Sequence, residues 1–176
     1  MGKKTLNSNI IIRPETPNDI KEIENVTLVA FTGVFSDNPN EHLMIKCLRE
    51  TGALSLSLVA ELDGKIVGHV AFSIVTIDGE DQGWYGLGPI SVLPGSQKQG
   101  IGSKLIKEGL SQIREKGARG CVLTGSPEYY QRFGFRTYPN LYYEGVPDPK
   151  YFMALPLHEE IPAGKVEYHR AFYIQA

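Results

Sequence analysis

The sequence lacks the features that mark several large classes of protein. Its 176 residues contain no apolar run near the roughly 18 residues that a membrane-spanning helix needs. The net charge is -2 and lysine and arginine are not clustered, whereas proteins that bind nucleic acids carry a basic footprint. We therefore expect neither a membrane nor a nucleic-acid partner.

Cysteine is also scarce, and its placement argues against a metal site. The chain has two cysteines, Cys47 and Cys121, far apart in apolar surroundings, with no C-x-x-C motif and no paired histidines at ligand spacing. The sequence thus predicts two buried thiols and no metal. The polar opening residues 1–9 are not followed by the apolar segment of a secretory signal, which predicts a cytoplasmic location.

What the sequence does have suits one α/β domain. A length of 176 residues with 41% hydrophobic and 22% charged residues fits a single domain over 1–176, without repeats or linkers. In the first half, Asp63-Gly64 predicts a two-residue hairpin between two strands. The strands expected there are at 10–13, 54–62 and 65–77. Two helices are expected between the first two of these strands, one capped by Thr16 and one whose apolar stripe consists of Leu43, Met44, Cys47 and Leu48.

The second half predicts a strand, a long helix and a parallel strand, followed by shorter elements. Glycine and proline at 86, 88 and 89 interrupt the strand at 84–92, which indicates a bulge or a close approach of another group. Apolar residues at helical spacing follow Gly100 up to Gly117. Shorter elements are expected at 121–124, 128–133, 135–138 and 151–157. The order predicts a mixed α/β sheet with helices on both faces.

The segment from Gln97 to Ser103 is the most informative one. Its glycines, Gly100 and Gly102, lie where a strand passes into the long helix, and a helix N-terminus offers unpaired N–H groups to phosphate. A plain tight turn is the alternative. The loop lacks the G-x-x-x-x-G-K-S/T pattern of nucleotide hydrolases and the third glycine of a dinucleotide fold, which disfavours a nucleotide-binding module.

Three motifs together resemble the GNAT superfamily of N-acetyltransferases. Gln97, Gly100 and Gly102 match the acyl-CoA loop of that family, residues 88–94 resemble its central strand, and residues 129–135 resemble its second signature. The start, residues 12–14 with Asp19, resembles the first strand and helix. The resemblance covers roughly 10–157, leaving 158–176 as a C-terminal extension, and residues 125–130 and 164–172 resemble the YhbS-like branch.

The resemblance implies a fold, a cosubstrate and site residues. The expected fold is a mostly antiparallel central sheet with a splayed parallel strand pair that admits the pantetheine arm of acetyl-CoA. Tyr130 would protonate the departing thiolate, with plain packing of its ring as the alternative. The expected cofactor-binding residues, some of which could equally serve core packing, are Ile90, Ser91, Val92, Gln97, Lys98, Gln99, Gly100, Ile101, Gly102 and Ser103.

The general base is not identified by the sequence. The strand at 84–93 contains no carboxylate and no histidine, although many members of the family have one there. Candidates acting through water or as amine-binding acids are Asp37, Glu41, Glu61 and Asp81, each better explained as a solvated surface charge. His69 is a further candidate, better explained as a core or surface histidine. The expected function is acetyl transfer to a small-molecule or peptide amine. A non-catalytic acyl-CoA sensor or structural module is the alternative, and a homodimer is left open.

Overall fold

The computed structural model describes residues 9–158 and 160–174. A six-stranded sheet has the order β1-β2-β3-β5-β6-β8, and a smaller one has the order β4-β9-β7. The strands are β1 Ile10–Pro14, β2 Leu54–Leu62, β3 Lys65–Ile74, β4 Thr76–Ile77, β5 Trp84–Val92, β6 Gly120–Thr124, β7 Leu141–Tyr142, β8 Phe152–Pro156 and β9 Gly164–Glu167. The helices are α1 Ile20–Phe31, α2 Glu41–Glu50, α3 Ile101–Glu115 and α4 Pro127–Tyr130.

Helices cover both faces of the large sheet, as the sequence predicts. Successive strand residues point to opposite faces, so neighbours in β2 belong to different cores. Leu58 packs in the core that contains Leu105 of α3, whereas Val59 packs with residues of α1 and α2, including Ile23 and Ile45. In the large sheet only β5 and β6 are parallel neighbours, so the mostly antiparallel sheet with one parallel pair is confirmed. Across the described ranges, no helix is long and apolar enough to cross a membrane.

The first helix begins at the polar signal expected from the sequence. Asp19 accepts a hydrogen bond from the backbone N–H of Thr16 at 2.7 Å and is ion-paired with Arg13 at 2.7 Å. The hydrogen bond from Arg13 holds the pKa of the Asp19 carboxyl well below its usual range. The turn at Pro17–Asp19 is a 3-10 turn, and the α-helix starts at Ile20.

Strand β5 separates from β6 after three residues. Pairing joins Trp84–Gly86 to residues 120–122 and then stops, while β5 stays paired with β3 as far as Val92. On the β3 side, Phe72 pairs with Leu87 and Val70 with Ile90, so β5 carries one extra residue in a bulge. The splay implied by the family resemblance is therefore present, and it frees one backbone edge of β5.

The C-terminal extension packs into the fold rather than lying apart from it. Residues Gly164–Glu167 form β9 in the small sheet, and Ala171 is fully buried. The ring of Tyr168 packs on Gly86, where an added Cβ would lie 2.7 Å from Cε1 of Tyr168. This contact supports β5 at the point where it parts from β6.

Replacing Tyr168 with alanine is expected to lower the free energy of unfolding by about 3 kcal/mol or more, because truncating a buried aromatic ring leaves a cavity. Urea unfolding measures the change. Tyr142→Ala is the matched control: Tyr142 is 46% exposed, and its loss is expected to cost less than about 1 kcal/mol. Equal costs for the two variants would contradict the supporting role of Tyr168.

Several sequence expectations were wrong in detail. The strand expected at 65–77 is two strands, because after Ile74 the chain leaves β5 and pairs with β9 in the other sheet. The strand expected at 135–138 is reduced to one bridge between Arg136 and Ala154. Cys121 is buried but Cys47 is only half-buried, since α2 buries the face that carries Ile45 and Leu48.

Candidate active site

A cleft of about 560 Å³ lies against the part of β5 that β6 does not pair. It is bounded by β5, by the loop before α3 with the first turn of that helix, and by α4 with the turn after it. The lining residues are Ile90, Ser91, Val92, Ser96, Gln97, Lys98, Gly100, Ile101, Gly102, Ser103, Tyr129, Tyr130 and Arg132. All the site residues expected from the sequence line this cleft except Gln99. Ser96, Tyr129 and Arg132 were not among them, although the last two lie in the second signature.

The loop before α3 is held in a shape that points its backbone at the cleft. Lys98 and Gly100 both have left-handed backbone angles, with φ of 63° and 79°. The side chain of Gln97 donates a hydrogen bond to the carbonyl of Val92 at 3.1 Å and ties the loop to β5. The first N–H groups of a helix have no acceptor within it, so the start of the 15-residue α3 offers donors to an anion.

Gly102 lies in the first turn of α3 and leaves space on the cleft side. An added Cβ would lie 3.4 Å from the hydroxyl of Tyr129 and 3.9 Å from Val92, and neither contact involves backbone. The protein itself could therefore accept a side chain here. Any side chain would take up volume in the cleft.

The free edge of β5 forms the wall opposite α4. Residues Ile90, Ser91 and Val92 pair with β3 on one side only, so no strand of the described ranges lies beside their second edge. The side chains of Ile90 and Val92 pack partly against the core around α3. Core packing by these side chains leaves the backbone edge open, and cofactor binding by that edge stays a prediction.

Tyr130 reaches the cleft from α4 and is packed by aromatic rings. Its ring centroid lies 4.9 Å from that of Tyr129 and 6.2 Å from that of Phe135, both edge to face. Burial, with a smaller contribution from Tyr129, raises the pKa of Tyr130 to about 12. Arg132 lies over the ring of Tyr129, 4.5 Å from its centroid. The phenol of Tyr130 therefore remains protonated at neutral pH and can act as a hydrogen-bond donor.

None of the candidate bases expected from the sequence lines the cleft. Glu61 is ion-paired with Arg13 at 3.3 Å, and the Asp81 carboxylate accepts the N–H of Gly83 at 2.9 Å. Glu41 and Asp37 also lie away from the cleft, Asp37 in an exposed position. His69 is fully buried, and burial lowers its pKa to about 4. Among the described residues that line the cleft, none carries a carboxylate or an imidazole.

Comparison with known proteins agrees with the fold. The sequence pattern of the Acetyltransferase (GNAT) family matches residues 20–135, which include β5, the glycine loop and α4. The chain belongs to the GNAT family. Membership confirms the enzyme class expected from the sequence, an acyltransferase that moves acetyl from acetyl-CoA to an amino group.

Individual relatives of this GNAT protein are similar over most of their length. The uncharacterised N-acetyltransferase YhbS of Escherichia coli is 38% identical over 127 residues, which cover 72% of this chain and 73% of YhbS. A crystal structure of that YhbS with CoA has a TM-score of 0.88 at 34% identity and covers 96% of this chain and 94% of its own. The expected YhbS-like branch is confirmed.

A second solved structure is similar at higher sequence identity. It is a GNAT family acetyltransferase from Brucella melitensis in complex with acetyl-CoA. Its TM-score is 0.83 at 50% identity, and the match covers 93% of this chain and 97% of the Brucella chain.

Proposed function

We propose that this protein transfers the acetyl group of acetyl-CoA directly to an amine in the cleft along β5. One observation carries the proposal: the free edge of β5, the glycine-lined start of α3 and the half-buried side chain of Tyr130 border the same cleft. The solved relatives with CoA and acetyl-CoA support acetyl-CoA as the cosubstrate. The cytoplasmic location and the homodimer stay predictions.

Binding of acetyl-CoA uses the backbone more than the side chains. The pyrophosphate lies on the N–H groups from Lys98 to Ser103, where the positive end of the helix dipole adds to their attraction. The pantetheine arm lies along Ile90 to Val92 and completes the ladder that β6 leaves unpaired. An N–H of this edge that points at the thioester oxygen stabilises the negative charge that develops during attack.

The reaction makes a C–N bond and breaks a C–S bond. The amine attacks the thioester carbonyl, the CoA thiolate leaves with the bonding electrons, and the nitrogen loses a proton while the sulfur gains one. Tyr130 is the group at the cleft that donates to the departing sulfur. The pKa of Tyr130, about 12, lies above the value of about 8.5 for a thiol. Proton transfer from the phenol to a free thiolate alone is therefore unfavourable. Tyr130 acts as the acid only if it regains a proton from the nitrogen in the same step.

Acetyl-CoA is expected to stabilise the fold. A ligand bound only by the native state adds about 2.7 kcal/mol at a hundredfold excess over its Kd. For a chain of this length, that corresponds to a rise in Tm of roughly 5 to 10 °C. Thermal melts with and without millimolar acetyl-CoA measure it. An unchanged Tm in a demonstrably folded sample would remove the basis of the proposal.

An amine panel tests the proposed reaction itself. Purified protein and acetyl-CoA are incubated with small primary amines, polyamines and peptides with free amino groups, and CoA release is followed with a thiol reagent. Mass spectrometry then shows whether the amine gains one acetyl group for each CoA released. Acetyl-CoA binding without any turnover across the panel would favour the alternative of a non-catalytic acyl-CoA sensor. That alternative is suggested by the absence of a base among the described residues that line the cleft.

A further inference from the structure

Two buried polar side-chain atoms on the neighbouring strands β3 and β5 make no hydrogen bond, to each other or to any other residue that the structure describes. Within the described ranges, Nδ1 of His69 and Oγ of Ser91 are both buried and make no hydrogen bond. His69 and Ser91 are directly opposite in the antiparallel register, so their Cβ atoms are about 5 Å apart on one face of the sheet. Ser91 also lines the cleft. An unpaired buried polar group costs free energy, so this pair calls for an explanation.

On its other side, His69 begins a chain of hydrogen bonds that leads away from the cleft. Its Nε2 lies 2.7 Å from the hydroxyl of Ser57, and that hydroxyl donates to the carboxylate of Glu15 in a very short contact. Glu15 is held by Arg49 through two hydrogen bonds of 2.9 and 3.1 Å. The Glu15 side chain is 16% exposed, so this series of hydrogen bonds joins the sheet interior to solvent.

The direction of these hydrogen bonds fixes the tautomer of His69. The Glu15 carboxylate, paired with Arg49, only accepts, so the single proton of Ser57 points to Glu15. The Ser57 oxygen must then accept a hydrogen bond from the Nε2–H group of His69. Because burial keeps the imidazole neutral, Nδ1 carries a lone pair to which no described residue donates, and Ser91 lies opposite His69 in the strand register. The charged groups that influence His69 are Glu15, which raises its pKa, and Arg49, which lowers it.

We propose that His69 is a proton-relay residue that acts through Ser91 and passes to Ser57 and Glu15 the proton that the ammonium form of the acceptor loses before attack, which is a different proton from the one that Tyr130 regains from the nitrogen. The ammonium proton moves to Ser91, the Ser91 proton to Nδ1 of His69, the Nε2 proton to Ser57, and the Ser57 proton to Glu15. One proton enters at the cleft and one leaves at Glu15, which returns it to solvent. This relay rests on the proposed acetyl transfer.

Burial of His69 fits a relay better than a conventional base. An amine with a pKa of about 10.4 must lose a proton, and the part of the chain that the structure describes places no carboxylate or histidine in the cleft lining. Burial disfavours the positively charged imidazolium form of a histidine. In the relay it gains a proton at Nδ1 as it gives one up at Nε2, so it need not become an imidazolium. Of the relay residues, Ser91 is the one that borders the cleft.

His69→Gln and Ser91→Ala test the relay. Glutamine can keep a hydrogen bond to Ser57 but cannot exchange protons between two ring nitrogens. Both variants are expected to bind acetyl-CoA with unchanged affinity by calorimetry and to lose about 10²-fold in kcat at pH 7 with the amine identified by the panel. The loss should shrink as the pH approaches the amine pKa, because more amine is then already deprotonated. A purely structural role would not change the pH profile.

Ser73→Ala is the matched control, because Ser73 is buried and unpartnered on the same face of β3 but lies outside the chain from His69 to Glu15. Its kcat should equal that of the wild type. Nitrogen-15 spectra of the wild-type imidazole should show the Nε2–H tautomer from pH 5 to 9. Two spectroscopic results would overturn the relay alone: a Nδ1–H tautomer, or an imidazolium at pH 7. Two kinetic results would do the same: unaffected turnover in both relay variants, or an equal loss of kcat in Ser73→Ala. Acetyl-CoA binding without turnover by the wild type would overturn the proposed function and the relay with it.

Discussion

Replacing Gly102 with valine is expected to abolish acetyl-CoA binding while the domain stays folded. The new side chain would point into the cleft, where the nearest protein atoms are side chains at 3.4 and 3.9 Å. Valine is also no worse than glycine in a helix, so the fold has no reason to fail. We expect the Kd to rise at least about 100-fold, which corresponds to about 2.7 kcal/mol. Calorimetric titration with acetyl-CoA measures it, with circular dichroism as the check on folding.

Gly95→Val provides the matched control for that variant. Gly95 lies in the exposed turn just before the loop, with no atom within 4 Å of its added Cβ, and it does not line the cleft. This variant should bind acetyl-CoA with an affinity close to that of the wild type. Normal binding by Gly102→Val would mean that the loop is only a structural turn and that the site assignment is wrong.

Removing the hydroxyl of Tyr130 is expected to slow the chemical step without weakening cofactor binding. Tyr130→Phe keeps the ring that packs on Tyr129 and Phe135 and removes only the donor. We expect kcat to fall by about 10²-fold, the lower end of what a positioned acid contributes, with little change in acetyl-CoA affinity. Because the pKa of this phenol is about 12, its ionisation should leave no inflection in the wild-type profile between pH 6 and 10.

Tyr129→Phe separates the hydroxyl of Tyr130 from general effects at α4. Tyr129 borders the same cleft at the adjacent position, and we expect its kcat to change by less than about tenfold. Comparable rates for the two variants would contradict the role of Tyr130 and favour water or the substrate as the proton donor. The measurement is steady-state CoA release with the same amine for all three proteins.

The cleft could be predicted from the sequence because its parts are close together along the chain. The glycines of the loop, the interrupted strand before it and the tyrosines after β6 all lie within residues 84–135. Their local signals, a helix start and glycine inside a strand, are readable without tertiary information. Every expected site residue but Gln99 borders the cleft, although the roles given to these residues are still proposals.

Features that depend on distant pairing could not be predicted. Strand β9 forms only because it pairs with β4 and β7, which lie far away in the sequence and are two residues long each. The link between Glu15 and Ser57 spans 42 residues, and neither residue has a distinctive local pattern. His69 could be suspected from its residue type alone, but its tautomer follows from partners that only the fold brings together.

A crystal structure of the protein with acetyl-CoA tests the central claim most directly, because it shows whether the cleft along β5 is where the cosubstrate binds. We expect the pyrophosphate on the N–H groups of residues 98–103, the pantetheine along Ile90 to Val92, and the sulfur within hydrogen-bond reach of the Tyr130 hydroxyl. Acetyl-CoA bound anywhere else, or with its thioester turned away from Tyr130, would contradict it.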